Sequence, residues 1–421
     1  MIVLARWWDL RSLANPVNAL LDWLRDRFPD WVAYVVSGLI GATAIGLFLG
    51  VAMLLLIWVE RRVIARIQIR QGPNRTGPAG ILQPVADAIK LMQKEALTPF
   101  AGDKWVFWLA PVLLFVPTVL TMGVMPFGEG MVVADLNVGV LFIVAVGSTV
   151  PLVIFMAGWA SNNKYSLLGA MRTIAMVLSY ELPAVIALLS VVVLTGSMQL
   201  GEIVRFQREH LVWNIFLLPL PFIIYVTASL AEIGRSPYDI AEAESEIVAG
   251  YHTEYSGMKF GLFYAVELAN ALILGGIFAI LFFGGWWTFG LDRIIPGWLL
   301  FLVKMLLGYW LFVWARGTVP RLRIDQALKF SWQFLIPLGL LNVLLVALEV
   351  AIWAETDAPG IILLPFAVVN WLAAAGLVVG YVRLLKLEGV QAPRPVVLTD
   401  QIGIVTRVLG PLSAGVGSAG G

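Results

Sequence analysis

Residues 231–259, AEIGRSPYDIAEAESEIVAGYHTEYSGMK, hold six carboxylates between two strongly apolar runs: Glu232, Asp239, Glu242, Glu244, Glu246 and Glu254. Only Arg235 and Lys259 oppose them, so the stretch carries a net charge of −4. Carboxylates crowded in a poorly hydrated place cannot all ionise, so some should hold protons near neutral pH. Ser236-Pro237 predicts a helix start, with Ser236 as N-cap, Pro237 at the first helical position and Asp239 in the first turn. Gly250 predicts the stop. On that helix Asp239, Glu242 and Glu246 fall at i, i+3 and i+7 on one face, while Glu244 points elsewhere. In a soluble protein such a stripe reads as a solvated acidic face, where like charges repel by roughly 0.2–0.5 kcal/mol per pair. Here the flanks are apolar, which favours a functional reading.

More carboxylates lie inside the apolar runs. Glu181 sits in Ser179-Tyr180-Glu181-Leu182-Pro183, ~12 Å from the near end of its run, and Glu267 lies ~10 Å into another. Glu232 ends a third run. An ionisable group in a membrane costs at least ~2.5 kcal/mol, so a functional role is the default. The competing reading is a carboxylate held by a hydrogen bond or an arginine for packing alone. Similar depth on consecutive runs predicts that Glu181, Glu232 and Glu267 share one layer. Glu349 and Lys304 read as structural, Lys304 by snorkelling. Pro219 and Pro221 predict a broken backbone ladder in their run.

The whole chain sets the class in which these groups work. Its 421 residues are 60% hydrophobic and 13% charged, with mean hydropathy +0.88, as in a polytopic membrane protein. A net charge of +1 gives no sign of nucleic-acid binding. Cysteine is absent, which excludes disulfides, cysteine-ligated iron–sulfur clusters and Cys-based zinc sites. Two histidines, His210 and His252, are too few for a transition-metal or haem centre of the usual kind. Any electrons must be carried by something else.

The predicted fold is all-α. Nine runs of spanning length lie near 33–59, 105–125, 138–158, 173–196, 213–230, 260–284, 296–315, 333–354 and 361–383. Residues 1–32 mix four tryptophans with four arginines and read as an interfacial arm, not a cleaved signal peptide. Residues 33–387 form the membrane domain, with loops 60–104, 231–259 and 316–330 on one side. Residues 388–421, rich in Pro, Gly and Ser, read as a flexible tail. Lys and Arg divide 20 to 7 between the two sides, which predicts a cytoplasmic acidic loop and C-terminus and an outside N-terminus. Within loop 60–104, Gly72-Pro73-Asn74 is a turn. Residues 81–95 then set Gln83, Asp87, Lys90 and Lys94 on one face and apolar residues on the other, predicting a surface helix able to wall an opening for a lipid-soluble ligand. Loops 60–104 and 316–330 carry +4 and +3. They should attract the −4 loop between them, with Arg61 and Arg62 pairing with its carboxylates.

Three of these segments resemble one family. Glu60-Arg61-Arg62-Val63 with Ile67-Gln68-Ile69-Arg70-Gln71-Gly72-Pro73-Asn74-Arg75, continued by residues 80–90, GILQPVADAIK, is similar to the first cytoplasmic loop of one membrane component of proton-pumping NADH:quinone oxidoreductase, respiratory complex I. That component is its H subunit, the one that forms the quinone chamber. Residues 238–259 resemble the family's acidic loop, and residues 316–326, RGTVPRLRIDQ, its last cytoplasmic loop. The likeness covers roughly residues 40–355. Around 231–239 the family's usual Glu, Arg, Pro and Asp recur as Glu232, Arg235, Pro237 and Asp239, whereas Ile233, Gly234, Ser236 and Tyr238 depart from it. The ninth run and the N-terminal arm exceed the common eight-helix form.

The resemblance implies a subunit, multi-pass in the cell (inner) membrane, that forms the chamber for a quinone substrate and joins the membrane arm to the peripheral arm. No cofactor is bound by this chain; iron–sulfur clusters and FMN belong to partner subunits, and the small and antiporter-like membrane subunits and membrane lipids are further partners. By position, Arg61 and Arg62 would line the chamber, Asp87 and Lys90 its entrance helix, with Arg235 beside them. Glu181, Glu232, Asp239, Glu242, Glu244, Glu246 and Glu267 would form a proton path toward the pump. Two other readings stay open: the membrane subunit of an energy-converting hydrogenase, and a stand-alone proton-coupled transporter, which the broken spans would suit. What co-purifies after mild extraction separates the three.

Overall fold

The computed structural model describes residues 23–239, 249–356 and 363–384. It divides into two units, Met1–Val378 and Val379–Gly421, and the described part of the second is the last six residues of the final helix. The described residues are helical, without a named strand. The principal helices are α1 (Asp30–Ile67), α2 (Gln83–Gln93), α3 (Lys104–Val124), α4 (Gly139–Gly147), α5 (Val150–Ala160), α6 (Lys164–Thr195), α7 (Leu200–Glu209), α8 (Pro219–Ile233), α9 (Gly257–Phe282), α10 (Gly297–Thr318), α11 (Ile324–Phe330), α12 (Ile336–Thr356) and α13 (Leu363–Leu384). The all-α polytopic membrane class holds: among the described residues, seven helical segments are long and apolar enough to cross a membrane, and two shorter apolar helices coincide with the fifth and ninth predicted runs. The N-terminal arm up to residue 22 and the tail from 385 lie outside the described residues.

Proline decides where the long runs break. The run 138–158 is two helices, α4 and α5, because Pro151 has no N–H to offer the carbonyl of Gly147. In the fifth run the chain leaves the helix at Leu218 (φ −126°, ψ 63°) and α8 restarts at Pro219, as the two prolines predict. In α6, Pro183 leaves the Ser179 carbonyl without its helical donor, and the Ser331 hydroxyl donates to it instead. Ser331 opens a π-helical stretch, Ser331–Leu335, between α11 and α12. Such a stretch widens a helix by one residue per turn and is common at functional sites.

α9 is the hub. Nearly every residue from Ala271 to Phe282 is buried, as expected for a helix apolar on all faces. Its crossing with α10 is close because two glycines meet: a Cβ on Gly275 would stand 2.8 Å from Met305 O, and one on Gly308 would stand 2.8 Å from Gly275 Cα. That contact sets the depth of Tyr309, the residue after Gly308.

Candidate functional site

Three helices and the turn after α8 deliver charge to one buried point. Glu60, in the last two turns of α1, is only 2% exposed. Its Oε2 accepts from Arg235 Nη1 at 2.9 Å and from the Tyr309 hydroxyl at 2.9 Å, and its Oε1 accepts from Arg316 Nη1. Arg235, 1% exposed, lies just beyond α8, and its Nε donates to Glu267 Oε1 of α9 at 2.8 Å. Two carboxylates thus face two guanidinium groups. Burial disfavours the Arg235 cation, but Glu267 and Glu60 outweigh it and hold its pKa above the ordinary arginine value. Only a planar fork spans two carboxylates on two helices in this way.

Glu181 and Glu232 meet elsewhere, at the break between α4 and α5. The Ser148 hydroxyl donates to Glu181 Oε1 and also lies 3.0 Å from the Val144 carbonyl. One hydroxyl has one proton, so it serves one of these two acceptors at a time. Glu232 Oε1 lies 3.8 Å from where a Cβ on the adjacent Gly147 would stand. A cavity of about 410 Å³ opens beside Glu181, lined by Leu178, Ser179, Leu182, Val185 and Trp332. The expected single layer of three carboxylates is therefore divided. Glu181 and Glu232 gather at the Gly147–Ser148 peptide, while Glu267 is held by Arg235.

The acidic loop is anchored at both ends. Upstream, residues 235–238 close a turn through Tyr238 N to Arg235 O at 2.8 Å, with a cis Ser236–Pro237 bond. Leu322 N donates to Pro237 O at 2.9 Å, and the Tyr238 ring packs on Tyr180 at 4.8 Å. This corrects the expected helix start. Ser236 and Pro237 occupy a turn, not the first positions of a helix. Asp239 follows the turn, half-buried, with Oδ1 unpartnered among the described residues. Glu242, Glu244 and Glu246 lie outside the described residues, and with them their predicted stripe. Downstream, Gly250 (φ +65°) approaches α6 so closely that a Cβ on Gly169 would stand 2.6 Å from Gly250 Cα. Ser166 Oγ donates to Tyr251 O, and Asn163 Nδ2 donates to Glu254 Oε1 at 2.7 Å.

The predicted surface helix is α2. Asp87 accepts from Arg61 Nη1 at 2.6 Å and from Gln83 Nε2 at 3.1 Å, and Lys90 Nζ lies 4.0 Å away. Partial burial pushes the Asp87 carboxyl up, but the hydrogen bonds from Arg61 and Gln83 and the charges of Arg61 and Lys90 together hold it below the ordinary value. The described partner of Arg61 is thus α2, not the acidic loop. Arg62 lies over the Trp58 ring at 5.0 Å; Glu246, its expected partner, is outside the described residues. The Arg61 and Asp87 side chains are 43% and 23% exposed. Their alanine substitutions should be non-additive by roughly 0.2–1 kcal/mol, whereas Arg62→Ala and Asp87→Ala should add. Thermal stability of the purified single and double variants checks this.

Lys304 does not snorkel. Its ammonium donates to the carbonyls of Phe283, Gly285 and Trp287 at 2.7, 2.9 and 2.6 Å, capping the end of α9. Glu349 accepts from Asn370 of α13 at 2.7 Å. Sequence reasoning missed Glu60, Tyr309 and Arg316 as members of the ion cluster. A carboxylate at the end of an apolar run, followed at once by two arginines, was the available signal for Glu60.

Residues 40–347 match the family model described as NADH dehydrogenase. The chain is 50% identical over 342 residues to the NADH-quinone oxidoreductase H subunit of Dehalococcoides mccartyi (strain CBDB1), covering 81% of this chain and 94% of that one. It is 48% identical over 332 residues to the H subunit of Carboxydothermus hydrogenoformans, covering 77% and 93%. Against the H subunit of Phocaeicola vulgatus it is 42% identical over 355 residues, covering 81% and 98%. With the family model matching most of its length and relatives this similar over nearly their full lengths, the chain belongs to the NADH dehydrogenase family.

Proposed function

We propose that this chain is the membrane subunit that forms the quinone-access chamber of a proton-pumping NADH:quinone oxidoreductase and links quinone reduction to proton translocation. One observation carries the reading. Carboxylates of four helices form two groups, Glu60 with Glu267 at Arg235 and Glu181 with Glu232 at the Gly147–Ser148 peptide. Arg61, Arg62, Asp87 and Lys90 border the chamber mouth between α1 and α2. Arg235 holds Glu60 and Glu267 behind it. Asp239, Glu242, Glu244 and Glu246 supply the loop part of the proton path, and Glu181, Glu232 and Glu267 the part within the membrane.

Reducing a quinone to quinol takes two electrons and two protons. The electrons come from an iron–sulfur partner subunit, which in turn draws on FMN in another. The carboxylates of this chain respond to charge at the quinone by exchanging protons and partners, and the anchored loop transmits the change. Mild detergent extraction tests the assignment. Co-purification with iron–sulfur and antiporter-like subunits is expected; nickel–iron subunits would point to a hydrogenase, and a lone protein to a transporter.

The same reading places nine spans in the cell membrane, with the N-terminus outside and the C-terminus in the cytoplasm. The 20 to 7 division of Lys and Arg supports it. Reporter fusions after residue 130 should read outside and after residue 245 inside. The opposite result at both would overturn the orientation.

A further inference from the structure

We propose that α3 and α9 form a binding site for the phosphate of an anionic glycerophospholipid, built on Lys259, Phe107 and Trp108. Lys259, in the first turn of α9, is 5% exposed. Its ammonium lies 3.5 Å from the centre of the Trp108 ring and 4.7 Å from that of Phe107. The ring faces attract the charge but accept no ordinary hydrogen bond. None of the donors on Nζ has an acceptor among the described residues. The Tyr255 hydroxyl is also buried and unpartnered among them, and its ring stacks on Phe107 at 4.0 Å. Buried donors left unspent are costly, so the site is complete only when acceptor oxygens enter it.

The surroundings identify the occupant. The Trp108 indole that covers the ammonium is 54% exposed, so a rotamer change of this one side chain uncovers the cation. Trp105 is 90% exposed and Phe100 99%, at the end of α3 that bears the Lys/Arg-rich loops, where aromatic rings meet lipid headgroups. Lys104 adds a second exposed cation there. From this end an exposed stripe of Trp105, Leu109, Val112, Val116 and Leu120 runs down α3. It extends ~22 Å at 1.5 Å per residue, enough to line an acyl chain. Contacts between membrane helices favour small residues, and this stripe has none, which favours lipid over a partner helix.

The test uses the intact complex, delipidated and followed by native mass spectrometry. Wild type should bind one more phosphatidylglycerol than Lys259→Gln, or bind it about fivefold more tightly, the effect of one lysine at a headgroup. Lys259→Arg should keep the site. Phosphatidylcholine should bind both forms alike, and millimolar inorganic phosphate should not displace the phosphatidylglycerol. Independently of any variant at Lys259, a Trp105→benzoylphenylalanine complex should cross-link to lipid. Equal phosphatidylglycerol binding by wild type and Lys259→Gln would overturn the proposal. So would displacement by phosphate alone, which marks a free-anion site, or cross-linking to another protein of the complex, which marks a protein contact. If Lys259→Gln does not assemble, the cross-link and the phosphate competition in otherwise unaltered complex decide.

Discussion

Arg235→Ala should remove most of the assembled subunit from the membrane. The substitution leaves Glu60 and Glu267 without the guanidinium that joins them, at 2.9 and 2.8 Å, in a place where Glu60 has almost no access to water. Removing one partner of a buried ion pair costs about 3–5 kcal/mol. Losses of only about 1–2 kcal/mol already change protein abundance several-fold. Arg235→Lys should recover part of the loss, because an ammonium keeps the charge but not the planar fork. Arg235→Met combined with Glu60→Gln should recover part of it by another route, by removing charge from both sides. Immunoblots of membranes and NADH-driven quinone reduction measure these effects. Wild-type abundance and activity in Arg235→Ala would show that the cluster does not hold the fold.

Glu181→Gln is expected to lower quinone reduction and proton pumping together, in a complex that still assembles. The amide keeps an oxygen able to accept from Ser148, so the hydrogen bond survives while the carboxyl group is removed. A positioned proton-transfer group contributes at least roughly 10²-fold, which sets the size of the loss. Both activities fall because tight coupling stalls each when the other stalls. Glu267→Gln is a less clean probe, since that carboxylate also accepts from Arg235 and its loss weakens the ion cluster. The decisive form is the Glu181→Gln, Glu267→Gln double variant. If it assembles fully and pumps at the wild-type rate and proton-to-electron ratio, the carboxylate path is wrong. Quinone reduction assayed beside light scattering or dye quenching of energised vesicles gives both quantities.

Several features of the site were legible in the residues because they depend on local rules. A 3.6-residue alternation of polar and apolar positions is enough to define α2, and Pro219 and Pro221 are enough to break the fifth run. The helix start at Ser236-Pro237 was not legible. Local propensity favours it, but the Arg235 side chain is drawn into the interior by Glu60 and Glu267, and the chain turns to follow it. Pairing was also out of reach. Loop charges of +4 and −4 predict attraction but not partners, and Arg61 takes Asp87, 26 residues away, within its own loop.

By itself the sequence determined the all-α membrane class, the apolar runs and the exclusion of cysteine-based redox centres, because composition and hydrophobic periodicity fix how segments meet lipid. It also determined which carboxylates lie within those runs. Only the tertiary structure decided how they group. Glu60 of α1, Arg235 beyond α8, Glu267 of α9 and Arg316 of α10 are far apart in the chain, and the glycine crossing of α9 and α10 sets how closely two of those helices approach. The physical reason is distance. An unpaired charge in a membrane is costly wherever it lies, but its partner is chosen by which side chains reach within about 3 Å, and packing sets that reach.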